Sequence, residues 1–153
     1  MIANISSVGA WRGFPGFGLY VSSKWAVSAL SESMTAELAD FGIKVTSIEP
    51  GYFRSKFLNP GNRLLPTGHI ADYDGTAARA IGDMMDQYDN NQPGDLKKGA
   101  KVIVDVLKQK DGREIPMRLV LGSDAYDLVN KKCEETMSLL KEWEDVTKST
   151  NYD

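Results

Sequence analysis

Ser6 to Lys24, SSVGAWRGFPGFGLYVSSK, decides the reading of this chain. Tyr20 and Lys24 stand four apart, and the residues after the tyrosine, VSSKWAVSALSESMTAELADFG, read as a long helix with few breakers before Gly42. Val21, Trp25, Val27, Ala29, Leu30 and Met34 are its apolar positions. On a helix that spacing puts both side chains on one face. A phenol with an ordinary pKa near 10 exchanges protons poorly at neutral pH. An ammonium about 5 Å away, at an effective dielectric of about 20, favours the phenolate by roughly 3 kcal/mol. Lys24 would thus make Tyr20 a usable acid or base. Ser7 lies thirteen residues before Tyr20, at the end of the apolar segment Ile2 to Ile5, which reads as the tail of a buried strand. A hydroxyl at a strand end, opposite a helix bearing the acid, holds a carbonyl or alcohol oxygen while its proton moves. The set suits carbonyl reduction without a covalent intermediate.

The spacing alone is weak evidence, because six tyrosines and twelve lysines in 153 residues produce such pairs by chance. Tyr52 and Lys56 repeat it, but they follow Pro50-Gly51 in what reads as a loop, and Ala39 stands thirteen residues before Tyr52. Only the first pair has both the serine and the helix. Taken by itself, that pair also fits an amphipathic helix with a snorkelling lysine and a half-buried tyrosine.

NISS at Asn4 to Ser7, YVSSK at Tyr20 to Lys24 and VTSIEPGYFRS at Val45 to Ser55 together resemble the C-terminal half of a classical short-chain dehydrogenase/reductase. The resemblance continues through QPGD at Gln92 to Asp95 and LGSDAYDLV at Leu121 to Val129, and so covers nearly the whole chain. It implies a partial Rossmann-like α/β fold, a doubly wound parallel sheet represented by its last three strands and their helices. It implies an oxidoreductase that interconverts a secondary alcohol and a ketone or aldehyde by hydride transfer with NADP or NAD, NADP being put first. In these roles Ser7 orients the substrate oxygen and Tyr20 donates or accepts the proton. Lys24 makes the tyrosine more acidic and bonds the nicotinamide ribose. Backbone groups after the Pro-Gly turn meet the nicotinamide amide, which points to Pro50, Gly51 and Phe53, and Ser55 stands where the family has a threonine.

The glycine-rich turn that holds the dinucleotide in this family, and the residue that selects NAD or NADP, are not found here. Gly16-x-Gly18 would need a third glycine at position 21, which is Val21, so glycines 13, 16 and 18 read as a loop beside the substrate. The family's catalytic asparagine would lie before Met1, and Asn4, within the strand, does not replace it. The expectation is a truncated chain in three alternative forms: a fragment of an active reductase, a short inactive or binding protein, or a half-enzyme completed by another chain. A parallel strand without its far neighbour becomes an edge, which invites association and makes a marginal monomer. The complete protein is expected to be a homo-oligomer, since family members pair through long helices including the one that carries Tyr20 and Lys24.

Composition suits a single cytoplasmic domain with 42% hydrophobic residues. A net charge of −3 without a basic stripe argues against nucleic acid, and no apolar run long enough to span a membrane occurs. Cys133 reads as a bland thiol in a charged helix and His69 as a loop histidine without metal-ligand spacing. Along the chain, residues 1–53 read as the catalytic segment and nicotinamide turn, 54–92 as a substrate lid, 93–148 as helix, strand and helix, and 149–153 as a tail. Within these, a strand is expected at Ile43 to Glu49, a mobile loop with Pro60 and Pro66 from Arg54 to about Ile70, and a polar helix at about Asp74 to Gln87. Met84 and Met85 there read as gap-filling core. Asp95 should cap a helix to about Gln109 whose face is Ala100, Ile103, Val104 and Leu107. A strand at Met117 to Leu121 and a last helix follow, the helix capped by Ser123 or Asp124, running to about Val146 and apolar at Leu128, Met137, Leu140 and Trp143. The aromatics Trp11, Phe14 and Phe17, with Phe53, Phe57, Leu58 and Leu64, either face an apolar ketone or alcohol or pack their loops onto the core.

Overall fold

The structure, a computed structural model, describes residues 1–59, 61, 62 and 68–152. Three parallel strands, β1 (Ile2–Ile5), β2 (Val45–Pro50) and β3 (Arg118–Leu121), lie in that order. Ile2 pairs with Val45 and Ile5 with Ile48, while Ser47 pairs with Arg118 and Pro50 with Leu121. Helix α1 (Gly18–Glu37) joins the first two strands, and α2 (Ala77–Tyr88) and α3 (Leu96–Leu107) join the second pair. α4 (Ser123–Glu142) and the short α5 (Glu144–Lys148) follow β3. Among the described residues no helix is long and apolar enough to cross a membrane. This is the parallel α/β arrangement expected from the sequence.

β2 is buried along both faces from Val45 to Glu49, as a central parallel strand must be. It starts two residues later than expected. Gly42, at φ +66, closes the turn after α1, and Ile43 still donates its N–H to Leu38 O at 3.2 Å, so the chain is leaving the helix rather than pairing. β1, a strand of the buried type expected to become an edge without its far neighbour, is the edge of this sheet and alternates half-buried and exposed residues, with Ile5 58% exposed.

α1 forms where expected but turns a different side to the sheet. Val21, Ser28 and Ser31 are its buried residues, whereas Trp25, Ala29 and Leu30 are exposed. The reason lies in the sheet face beneath it, which carries Asn4, Ser6, Ser47 and Glu49. Asn4 Nδ2 donates to Ser31 Oγ at 3.0 Å, and Ser28 Oγ lies 3.1 Å from Ser47 Oγ. A polar sheet face selects serines on the helix, so the packed stripe is not the apolar one.

α3 is likewise rotated. Asp95 caps it as expected, accepting from the N–H groups of Lys97 and Lys98, but Gly99 and Ile103 face inward while Ala100 and Val104 are exposed. Of the two methionines in α2, Met85 is buried and Met84 is half exposed. α4 is not capped by Ser123 or Asp124. Its N-cap is Gly122 at φ +107, and the Asp124 carboxylate accepts the N–H of Tyr52 at 2.7 Å instead. The last helix breaks at Trp143, and Met137, Leu140 and Trp143 are exposed rather than packed. Between β2 and α2 the chain makes short 3-10 turns at Lys56–Leu58 and Ala71–Tyr73. Pro60, Leu64 and Pro66 lie outside the described residues.

Candidate active site

Ser7 leaves the end of β1 in an extended conformation and caps a 3-10 turn, Val8–Ala10, its Oγ accepting the N–H of Gly9 at 3.1 Å. That turn is buried, which fixes the hydroxyl relative to the sheet. Tyr20 stands in the first turn of α1 and Lys24 one turn later. The Tyr20 ring makes an edge contact with Phe17 at 6.3 Å and a tilted one with Phe57 at 5.9 Å between centroids. Lys24 Nζ lies 5.8 Å from the Tyr20 ring centroid and donates to the carbonyl of Ile5 at 3.1 Å. The point that a Cβ on Gly9 would occupy is 3.5 Å from both Ser7 Oγ and Tyr20 Cε1. Serine and tyrosine therefore face one small space, with the lysine tied to the strand end beside it.

That space belongs to a cavity of about 510 Å³ that Ser7, Tyr20 and Lys24 line together with Pro50, Gly51, Phe53 and Ser55. The four turn residues named from the sequence thus lie on the same cavity as the three side chains. Phe14, Phe17, Phe57 and Leu58 contribute apolar wall. Trp11 does not line it and follows the other alternative, packing its loop onto the body of the fold. Its indole N–H donates to Glu49 Oε2 at 2.6 Å, and the Arg118 guanidinium stacks 4.6 Å above the ring.

The turn after β2 is held from two sides. Gly51 donates its N–H to Leu121 O at 2.8 Å, and the Asp124 carboxylate lies against it so closely that a Cβ there would be 2.4 Å from Oδ2. Phe53 bridges Gly94: Gly94 N–H donates to Tyr52 O at 3.0 Å and Arg54 N–H to Gly94 O at 2.9 Å. In a parallel bridge those bonds leave the N–H and C=O of Phe53 itself on the opposite side. The Phe53 ring packs onto Gly94 and Gly99, where an added Cβ would come within 2.7 and 2.5 Å of it. Ser55 Oγ accepts the N–H of Phe57 at 3.3 Å.

Four residues that the sequence reading gave no site role shape this region. Glu49 and Asp124 anchor its frame, Gln92 lines the cavity, and Tyr52 puts a second phenol on the cavity wall. Burial raises the Tyr52 pKa above its ordinary value, reinforced by Tyr88, Asp124 and Tyr20 nearby. The sequence carried one faint signal for Glu49, a carboxylate within a segment that otherwise reads as a buried strand. Away from the cavity, His69 meets Asp74 at 3.1 Å and Arg79 at 3.2 Å on the surface, and Cys133 is exposed on α4.

A family model described as short chain dehydrogenase matches residues 1–63. Oxidoreductase BOA17 of Botryotinia fuckeliana is 30% identical over 146 residues, which cover 95% of this chain and 51% of that protein. The 3-ketodihydrosphingosine reductase of Bacteroides thetaiotaomicron is 35% identical over 121 residues, covering 79% of this chain and 43% of its own length. A solved structure of a short-chain dehydrogenase from Streptomyces avermitilis superposes with a TM-score of 0.81 at 34% identity, covering 98% of this chain and 52% of its own. The chain spans about half the length of these relatives.

Proposed function

The chain belongs to the short-chain dehydrogenase/reductase family, and on that footing we propose that it bears the proton-transfer site of an NAD(P)-dependent oxidoreductase that interconverts a secondary alcohol and a ketone or aldehyde. The observation that carries this reading is the meeting of Ser7 Oγ, the Tyr20 ring and Lys24 Nζ on one cavity with a mostly apolar wall. Ser7 holds the substrate oxygen. Tyr20 gives that oxygen a proton in reduction and takes it back in oxidation, and Lys24, positive and close to the ring, stabilises charge that builds on the phenol oxygen. Phe14, Phe17 and Phe57 supply apolar wall beside the reacting atoms.

The residues present fit the nicotinamide end of a dinucleotide. Pro50, Gly51 and Ser55 line the cavity beside Lys24, and the main-chain N–H and C=O of Phe53 are not used by its bridge to Gly94. These groups would hold the carboxamide and ribose. When bound, the cofactor supplies or accepts the hydride. NADP is the first cofactor to test and NAD the second.

A second reading, the same site completed by another polypeptide, is favoured by the position of β1. It is the edge of the sheet, Ile5 on it is exposed, and its carbonyl is the one that Lys24 bonds. One experiment separates the two. The purified chain is titrated with NADPH and NADH by nicotinamide fluorescence, and turnover of a panel of ketones is followed for the wild type and Tyr20→Phe. Saturable binding with turnover that Tyr20→Phe abolishes supports a working site in this chain. Binding or turnover that arises only when a second polypeptide is added supports the second reading, and turnover retained by Tyr20→Phe overturns both.

A further inference from the structure

Gln92 is only 2% exposed, yet it lines the cavity that holds Ser7, Tyr20 and Lys24. Its backbone carbonyl accepts from Arg54 Nη2 at 3.2 Å, but its side-chain Oε1 meets no donor among the described residues. A buried amide oxygen without a donor is destabilising, and native chains rarely keep one without a use. Leu58 and Met85, on the same cavity and equally buried, show that an apolar side chain is tolerated in this wall. Ser7, Tyr20, Lys24 and Ser55 have tasks in the reading above; Gln92 has none.

We propose that Gln92 is a specificity-determining residue whose carboxamide bonds a second hydroxyl on the substrate. The substrate class is then a hydroxyketone on an otherwise apolar skeleton, or the corresponding diol in the reverse direction. This inference rests on the cavity being the substrate site. A hydroxyl suits the residue because it both donates and accepts, and the two-fold torsion at the end of the glutamine side chain can present either edge of the amide. A charged group does not suit it. Lys24 is the one charged side chain among the described residues on this cavity, and it stands beside Tyr20.

The test compares binding of decan-2-one with that of its 5-, 7- and 9-hydroxy derivatives by calorimetry, with and without NADPH, to the wild-type chain and to Gln92→Met. Methionine keeps the length and flexibility of glutamine and removes both hydrogen-bonding atoms. The wild type is expected to bind one hydroxyketone about five- to tenfold more tightly than decan-2-one. Gln92→Met should bind the two alike, hold decan-2-one as before, and unfold at the same temperature or higher. Equal binding of all four ketones by the wild type overturns the proposal and leaves the substrate cavity standing, as does a preference that survives in Gln92→Met. A lowered unfolding temperature in Gln92→Met assigns the amide to the fold, and a loss confined to NADPH affinity assigns it to the cofactor; either overturns the proposal. Failure of the wild type to bind any of the four removes the substrate-site reading and the proposal together.

Discussion

The indole N–H of Trp11 donates to Oε2 of Glu49 at 2.6 Å, so the loop that leads into the Tyr20 helix is tied to the end of the central strand. Glu49 is fully buried, and its other oxygen, Oε1, lies 2.7 Å from Ser28 Oγ, 3.0 Å from Ser47 Oγ and 3.3 Å from Arg118 Nη1. Ser28 in turn stands 2.8 Å from Ser6 Oγ, and Ser6 donates to the carbonyl of Lys24 at 2.9 Å. One carboxylate thereby ties β2 and β3 to the helix bearing Tyr20 and Lys24 and, through Ser28, to Ser6, the residue that follows β1 and precedes Ser7. These bonds set the spacing of the site from behind.

Glu49→Leu should therefore cost far more than its change in volume. It removes the acceptor that Trp11, Ser47 and Arg118 share and leaves the Arg118 charge, 20% exposed, with the Trp11 ring and the exposed carboxylate of Glu32 at 3.6 Å. Breaking a buried pair from one side costs about 3–5 kcal/mol, read as a shift in the urea midpoint. Glu49→Gln keeps an acceptor oxygen and should lose less. Tryptophan emission should move to the red in Glu49→Leu as the Trp11 indole loses its partner. An unchanged midpoint would show that the network contributes nothing net.

Gly99→Ala tests how the turn at Pro50 to Ser55 is held. A Cβ at Gly99 would sit 2.5 Å from Cε1 of Phe53, so the ring must move or α3 must shift. Overpacking of this kind costs about 1–3 kcal/mol. Phe53→Leu should relieve it, so the double variant is expected to be more stable than the sum of the single changes predicts, measured by a double-mutant cycle. Strict additivity would mean that the contact is not under pressure.

The strands and helices were legible in the sequence because each had its own local signal: β-branched runs at Ile2 and Val45, Asp95 as a cap, and Pro50-Gly51 as a stop. Helix faces were less legible. The packed side of α1 is serine-rich because it meets Asn4, Ser6, Ser47 and Glu49, and a hydrophobic pattern cannot report a polar interface. Ser7, Tyr20 and Lys24 were found by spacing and do converge on one cavity. Gln92 and Asp124 were not given site roles because their burial depends on contacts with segments remote in the chain, Asp124 reaching Tyr52 across 72 positions. The exposed run from Met137 to Trp143 was misjudged for the opposite reason: its pattern is amphipathic, but no described residue covers it.

Tyr52 gives a prediction at alkaline pH. Burial holds its phenol above the ordinary pKa of 10.0, with Tyr88, Asp124 and Tyr20 adding to the shift. Above pH 10 the unfolded chain has therefore released a proton that the folded chain keeps. The contribution of this group to stability is complete below about pH 10 and is lost as pH rises through the folded pKa. Absorbance titration at 295 nm should show a late-ionising tyrosine in the wild type that is absent in Tyr52→Phe. The stability of the wild type should also fall more steeply above pH 10 than that of the variant; identical titration curves would contradict this assignment.

On the side of α1 turned away from the sheet, Leu19 is 92% exposed and Leu30 is 57% exposed. They are eleven positions apart, about three helical turns, and so share one outer face. Apolar side chains in such a row favour burial against a second copy of the same helix, and a symmetric pairing would place the two Leu30 side chains within one patch. The exposed edge at β1 offers a different route, through backbone pairing. Sedimentation velocity over a concentration series distinguishes them. Leu30→Glu should weaken association about tenfold or more if the helices pair, because it brings like charges together in an apolar contact. Ile5→Lys should act in the same way only if the strands pair, since that side chain lies at the edge and away from the helix face. A wild-type chain that stays monomeric at every concentration would exclude both.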